Sequence, residues 1–249
     1  IPRVRVISSK SDLEAAKRDF SHVNTSKYLV EEFLKGFEIS IEAFIYNGKF
    51  NYYCFAIRDI EIISNGKIIE HGSVADPQFD KQILKQIKRV FEKACAAIGL
   101  NEGPAKGDIM FTDSGPKVIE VASRSAPLAP LISKKVFNFD MISTHVKWSM
   151  GLKLKFDSKL LDFSKSIPVC HKYLLHRKGV IYNINGIEKV KKLKNVIKIM
   201  ILKDLIYPLK LEEPTNTNRI LYVVTTGSNA EEAKKNADTS LSNIKLLYK

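Results

Sequence analysis

The sequence predicts an α+β fold: an antiparallel sheet backed by helices, followed by a smaller α+β segment. Three observations predict it. Glu38–Tyr46 alternates cleanly, with Ile39, Ile41, Ala43 and Ile45 on one face and Glu38, Ser40 and Glu42 on the other. Asn47-Gly48 then supplies two residues that tolerate positive φ, as a two-residue hairpin turn into Phe50–Ile57 requires. Residues 80–98 place Ile83, Ile87, Val90, Phe91, Ala94 and Ile98 at three- and four-residue spacing, the period of an amphipathic helix. Gly99 stands where its C-terminal cap belongs.

The remaining elements follow in chain order. Ile1–Ile7 reads as a strand that starts abruptly, so the sequence is expected to be part of a longer polypeptide. Ser11–Phe20 predicts a helix capped by Ser11, with Leu13, Ala16 and Phe20 on one side. Tyr28–Phe33 predicts an apolar strand ending in carboxylates, and Asn65-Gly66 a second hairpin between Ile62-Ile63 and Ile68-Ile69. Asp108–Thr112 and Lys117–Ala122 are expected strands joined by Asp113-Ser114-Gly115, and Met141–Met150 an expected helix. Beyond a polar join near 155–166, Val169–Leu175, Val196–Leu202 and Ile220–Thr226 are strand-like. Ala230–Ile244 is helical, with Ala233, Ala237 and Leu241 in phase. The expected division is therefore 1–165 and 166–249.

Composition narrows the function classes. The net charge of +13 invites a nucleic-acid reading, yet the basic residues are mostly lysines scattered along the chain. The densest cluster, Lys189, Lys191, Lys192 and Lys194, holds no aromatic residue on which a base could stack. A solvated lysine-rich surface that attracts polyanionic small molecules fits better, so no nucleic-acid partner is expected. No apolar run approaches the roughly 18–20 residues of a membrane-spanning helix, so no membrane partner is expected either. Cys54, Cys95 and Cys170 are odd in number and far apart, which points to a reducing, cytoplasmic compartment. Cys95 falls on the apolar side of the 80–98 helix and reads as a small buried hydrophobe.

The most informative local feature is the hairpin at 108–122. If residues 113–115 form its loop, Thr112 faces Pro116, Met110 faces Val118 and Asp108 faces Glu120. Directly opposed residues have Cβ atoms about 4.5–5.5 Å apart, which brings two carboxylates side by side. Like charges that close need a raised pKa or a cation between them. Two carboxylate oxygens, completed by water or phosphate, are a common way to hold Mg²⁺. The strand period also sends Ala122 and Arg124 to the side of Glu120, where Arg124 can meet a phosphate or a carboxylate. From spacing alone, Asp108 and Glu120 read better as rim residues of an exposed hairpin, each paired with a lysine, and only their flanks bring the interior reading level with that one. The apolar flanks Ile109, Phe111, Val118, Ile119 and Val121 argue for an interior strand. Arg58, near the end of the preceding hairpin, is expected to point into a cleft. His71 and His171 lack a partner constellation and read as structural or surface residues.

These residues resemble a known family. Tyr28–Ser40, with Glu31-Glu32-Phe33-Leu34 and Gly36-Phe37-Glu38, resembles the hinge of ATP-grasp enzymes. Gly107–Thr112, Gly115–Lys117 and Val118–Arg124 resemble the family's later acidic strand, turn and second acidic strand. The trailing 80 or so residues look like the small C-terminal domain of carbamoyl-phosphate-synthetase-like and phosphoribosylglycinamide-synthetase-like members. The resemblance implies a C-terminal ATP-grasp lobe that uses ATP and Mg²⁺, with Mn²⁺ as an allowed substitute. It implies an adenine hinge at Glu31, Glu32, Phe33 and Leu34, a ribose contact at Glu38, metal ligands at Asp108 and Glu120, and a phosphoryl-stabilising role for Arg124. The implied reaction joins a small-molecule carboxylate to an amine through an acyl phosphate, and the implied assembly admits a homodimer.

The chain also departs from the family pattern. Ala122 stands where an asparagine oxygen donor is common, Ser125-Ala126 where glycines are common, and Lys106 where histidine is frequent. The family's glycine-rich phosphate loop and upstream lysine pair are expected to lie before Ile1. Ala122 and Ser125-Ala126 motivate the alternative reading, a catalytically degenerate ATP-grasp domain that acts as a nucleotide-binding or scaffold module.

Overall fold

The computed structural model describes residues 4–21, 27–63, 66–76, 78–156 and 166–249. The first helix, α1 (Lys10–Phe20), is capped by Ser9, whose side chain accepts from the Asp12 N–H, rather than by Ser11. It buries Ala15 and Ala16, while Leu13 faces solvent. Residues 4–8 form no strand; Val6 N–H donates to Gly66 O at 2.9 Å, a single bond rather than a ladder.

The expected strand at Tyr28–Phe33 is also absent: residues 27–35 have no regular structure. Leu29 is 83% and Val30 90% exposed. An apolar run becomes a strand only where a neighbour takes its N–H and C=O groups, and among the described residues none pairs with it.

Then β1 (Phe37–Tyr46) and β2 (Lys49–Ile63) form the predicted hairpin. Asn47 (φ 53°) and Gly48 (φ 69°) both take the left-handed backbone that this turn demands. A third strand, β3 (Lys67–Ala75), pairs back on β2, with Ile63 opposite Lys67; Asn65 lies outside the described residues. Next, α2 (Lys81–Ala97) starts at Asp80, whose carboxylate accepts from the N–H groups of Gln82 and Ile83. The buried stripe of α2 is Leu84, Ile87, Phe91 and Cys95, one position off the predicted set at both ends, and Ile98 is exposed beyond the last turn.

The hairpin β4 (Gly103–Thr112) and β5 (Gly115–Ala122) is followed by α3 (Ala129–Val136) and α4 (Met141–Ser149). The short α3 was not anticipated; Pro130 sits in its first turn, where its missing N–H has no intrahelical partner to lose. Together α3 and α4 cover the Phe44–Tyr52 end of the first hairpin. Trp148 lies edge-on to Phe44 at 5.9 Å, and Phe139 stacks on Tyr52 at 3.8 Å.

The expected join near 165 falls outside the described residues. Beyond it come β6 (Val169–Tyr173), β7 (Gly179–Asn185), the short α5 (Ile187–Lys191), β8 (Val196–Ile201), β9 (Leu209–Leu211), β10 (Leu221–Thr226), α6 (Ala230–Ser242) and β11 (Lys245–Tyr248). Strands β7, β9 and β11 were not anticipated; they make a small antiparallel sheet of their own in the order β11-β7-β9. The other eight strands form one antiparallel sheet in the order β5-β4-β1-β2-β3-β6-β10-β8. The sheet therefore runs unbroken through both halves of the sequence.

Register assigns its faces. Ile109, Ile39, Ile57, Val74, Cys170 and Thr225 lie in one row across six strands. On that face α2 packs through Ile87 and Phe91, and α6 through Ala233 and Ala237, with Thr225 Oγ1 donating to Ala233 O at 2.7 Å. Gly107 is needed there, since a Cβ would come within 2.6 Å of the Phe91 ring. The opposite face carries the polar side chains. Cys54, Cys95 and Cys170 are all buried, and burial pushes the Cys95 thiol up to about 11 and that of Cys170 to about 12, which makes them poor nucleophiles.

Candidate functional site

The polar face is assembled by strand alternation. On β1, Ser40 is paired with Asp108 of β4 and Glu42 with Lys106. Across the β4–β5 hairpin, Asp108 faces Glu120 and Lys106 faces Ala122. The predicted acidic pairing therefore exists, but not by the predicted route. The turn has two residues, not three, so Thr112 faces Gly115 and Met110 faces Lys117. A register shift between Asp108 and Ile109 then restores the pairing of Asp108 with Glu120. Two departures from the expected hairpin cancel.

The two carboxylates sit in different surroundings. Asp108 is buried, whereas the Glu120 side chain is 50% exposed. Lys106 bridges them: its ammonium is in close contact with Asp108 Oδ2 and lies 3.4 Å from Glu120 Oε1. Arg58 approaches the same Asp108 oxygen at 3.4 Å, binds Glu38 closely, and reaches Glu70 Oε2 at 3.3 Å. Arg219 of the C-terminal half also reaches Glu70 Oε2 at 3.3 Å and stacks on Tyr173, its guanidinium carbon 3.5 Å from the ring centroid. Arg124, 60% exposed, lies 3.9 Å from Glu120. The face thus carries alternating charges from Arg219 through Glu70, Arg58, Asp108 and Lys106 to Glu120 and Arg124.

Among the described residues Asp108 Oδ1 is buried and has no hydrogen-bond partner. A buried carboxylate oxygen without a donor is costly, and its free lone pairs suit a cation. The Glu38 carboxyl is pushed above the usual range by burial, with Asp108 and Glu70 adding to the effect and Arg58 opposing it. No cluster of three or more metal-binding side chains occurs among the described residues. A divalent ion at Asp108 and Glu120 would thus draw its other ligands from water or phosphate.

Glu42 was recognised only as a member of the polar face of β1. It is buried, its Oε1 accepts from the Ala126 N–H at 3.0 Å, and its Oε2 has no hydrogen-bond partner among the described residues. It ties the segment that follows Arg124 to the sheet. Burial pushes its carboxyl up to about 8, far above the ordinary 4.5. The folded protein therefore keeps a proton that the unfolded chain releases. Its contribution to stability should fall as pH rises from about 4.5 to about 8 and level off above that. Glu42→Gln keeps the acceptor for Ala126 without the titration. We expect urea denaturation to show the variant gaining on the order of 4 kcal/mol over wild type between pH of about 4.5 and about 8.5; parallel pH profiles would refute this.

Among the other sequence-selected residues, Arg58 shares the polar face with Asp108 and contacts it. Glu31, Glu32 and Phe33 are exposed, Leu34 is half-buried, and all four lie in the irregular segment that precedes β1. His71 pairs with Glu61 at 2.7 Å. His171 is buried against Ser73, with Nδ1 2.9 Å from the hydroxyl, and burial lowers its pKa to about 4, which leaves it neutral. Both fit structural roles. Glu70, Arg219 and the bridging position of Lys106 were missed. For Lys106 a signal existed, since a residue two before Asp108 must share its face. For Arg219, which meets Glu70 from 149 positions away in the sequence, there was none.

Residues 4–131 match the ATP-grasp domain family. The chain belongs to the ATP-grasp family. The phosphoribosylamine–glycine ligase of Methanococcus maripaludis is 24% identical over 244 residues, 90% of this chain and 52% of that protein. The ATP-grasp chain thus spans about half the length of the curated relatives it matches. It superposes on the L-amino acid ligase from Bacillus licheniformis with a TM-score of 0.84 at 18% identity, covering 99% of this chain and 62% of that one. It superposes on the phosphoribosylglycinamide synthetase from Anaerococcus prevotii with a TM-score of 0.72 at 17% identity, covering 95% and 61%. At such identities these likenesses show the ATP-grasp fold. Among the described residues no helix is long and apolar enough to cross a membrane.

Proposed function

We propose that the protein carrying this chain is an ATP-dependent ligase that joins a carboxylate to an amine through an acyl phosphate. The observation that carries the reading is the facing pair Asp108 and Glu120 on one side of the sheet, with an unpartnered oxygen on the buried member. In this reading Asp108 and Glu120 hold Mg²⁺ with the ATP phosphates. When bound, Mg²⁺ neutralises phosphate charge during transfer. Arg124, exposed beside Glu120, stabilises the transferring phosphoryl group. Glu31, Glu32, Phe33 and Leu34 form the adenine hinge, and the exposure of the first three leaves that segment accessible to a base. Glu38 takes the ribose hydroxyls by exchanging its contact with Arg58.

The chemistry runs in two displacements. A carboxylate oxygen attacks the γ-phosphorus and ADP departs with the bonding electrons. The amine nitrogen then attacks the acyl carbon, phosphate leaves, and the nitrogen gives up its proton. The names of the relatives support the class: one is a phosphoribosylamine–glycine ligase and another an L-amino acid ligase. The test is release of ADP and phosphate by the full-length protein with panels of amino acids, amines and bicarbonate. Substrate-stimulated release is expected, and silence across the whole panel with Mg-ATP bound would refute a ligase.

A second reading, a degenerate nucleotide-binding or scaffold module, has one observation in its favour. Ala122, paired with Lys106, offers no side-chain oxygen beside the acidic pair. Mg²⁺-dependent ATP binding without turnover in calorimetry would favour it.

A further inference from the structure

We propose that Lys106 is a built-in cation that occupies the gap between Asp108 and Glu120 and competes there with a divalent ion. The inference rests on reading that pair as the metal site, and it adds a control on that site.

The geometry is specific. Lys106 and Asp108 stand two apart on β4, so strand alternation puts both side chains on one face. The Lys106 side chain is only 9% exposed, and its ammonium contacts Asp108 Oδ2 closely and Glu120 Oε1 at 3.4 Å. It sits between two facing carboxylates, which is where a bridging cation belongs. Its partner across the β4–β5 ladder is Ala122, whose methyl offers neither a competing acceptor nor an obstacle. The same Asp108 oxygen also receives Arg58 at 3.4 Å, whereas Oδ1 is left without a partner.

The charge balance follows from these contacts. A divalent ion approaching two bare carboxylates meets two negative charges with nothing to offset them. Here it meets a pair that an ammonium already neutralises in part, within a poorly screened, mostly buried setting. Entry of the ion requires the Lys106 ammonium to leave at least Asp108 or to share it. Metal loading should therefore be weak in the protein alone and should depend on phosphates that bring further ligands and further negative charge.

The test uses the full-length protein without ATP or substrate, with Mn²⁺ binding followed by electron paramagnetic resonance. Lys106→Met keeps the length and apolar stem of the side chain and removes the charge. It should bind Mn²⁺ at least about tenfold more tightly than wild type, as expected when a cation is removed beside its ligands. Lys106→Arg should show no gain, and adding Asp108→Asn to Lys106→Met should abolish it. In chelator, Lys106→Met should melt below wild type, and Mn²⁺ should raise its midpoint by more than it raises that of wild type. Equal or weaker Mn²⁺ binding by a folded Lys106→Met protein overturns the proposal. If that variant does not fold, the wild-type protein gives the answer: Mg²⁺ should increase acylation of Lys106 by an amine-reactive reagent, and an unchanged rate overturns it. Because no turnover is measured, failure here leaves the ligase reading intact, and absence of ADP release leaves this result interpretable.

Discussion

Asp108→Asn in the full-length protein is expected to cut ATP-dependent phosphate release by about 10²–10³-fold, the usual cost of removing one preorganised electrostatic group from a transfer site. The substitution keeps the shape of the side chain and deletes its charge. It removes the buried half of the facing acidic pair and leaves the cations of Lys106 and Arg58 directed at a neutral amide. Breaking a buried ion pair on one side typically costs about 3–5 kcal/mol, so the variant should also melt earlier. The two effects separate by assaying well below its melting temperature. A folded Asp108→Asn protein that retained activity within about threefold of wild type would remove Asp108 from the reaction and leave it a structural role.

Arg58→Met should produce a large loss of stability, about 3–5 kcal/mol in urea denaturation at neutral pH. One guanidinium serves Glu38, Glu70 and Asp108, and its own pKa is driven upward by those carboxylates, Glu70 foremost, against the cost of burial. Without it three acidic groups from three strands face one another with only Lys106 and Arg219 nearby. Arg58→Lys should recover part of the loss, since a point charge cannot span three partners as a planar fork does. The gap between wild type and Arg58→Met should narrow on acidification, because Glu38, already pushed toward its neutral form, protonates in mild acid. A loss below about 1 kcal/mol at neutral pH would mean that the cluster is effectively solvated.

Local features of the chain were legible where backbone chemistry leaves one solution. Asn47-Gly48 announced its turn because few residues accept positive φ twice in succession. The 81–97 helix announced itself by period, although the exact buried stripe shifted by one position because packing, not hydrophobicity alone, picks the face. The acidic pair was found for an incomplete reason: neither the two-residue turn nor the compensating irregularity beside Ile109 leaves a mark in the sequence. Long-range partners were illegible for a simpler reason. Strand pairing between β3 and β6, and the reach of Arg219 to Glu70, depend on segments roughly a hundred residues or more apart meeting in space. Tyr28–Phe33 looked like a strand because apolarity describes a candidate, not its partner.

The unbroken eight-stranded sheet has a practical consequence for anyone dividing this protein. A chain cut before Val169 would strip β6 from β3 and bare the backbone of Gly72, Ser73, Val74 and Ala75. Gly72 has no side chain to shield that margin and approaches the His171 carbonyl so closely that even a methyl would collide with it. Naked, flat margins of this kind recruit other chains, so the isolated N-terminal fragment should self-associate and precipitate instead of behaving as a tidy monomer.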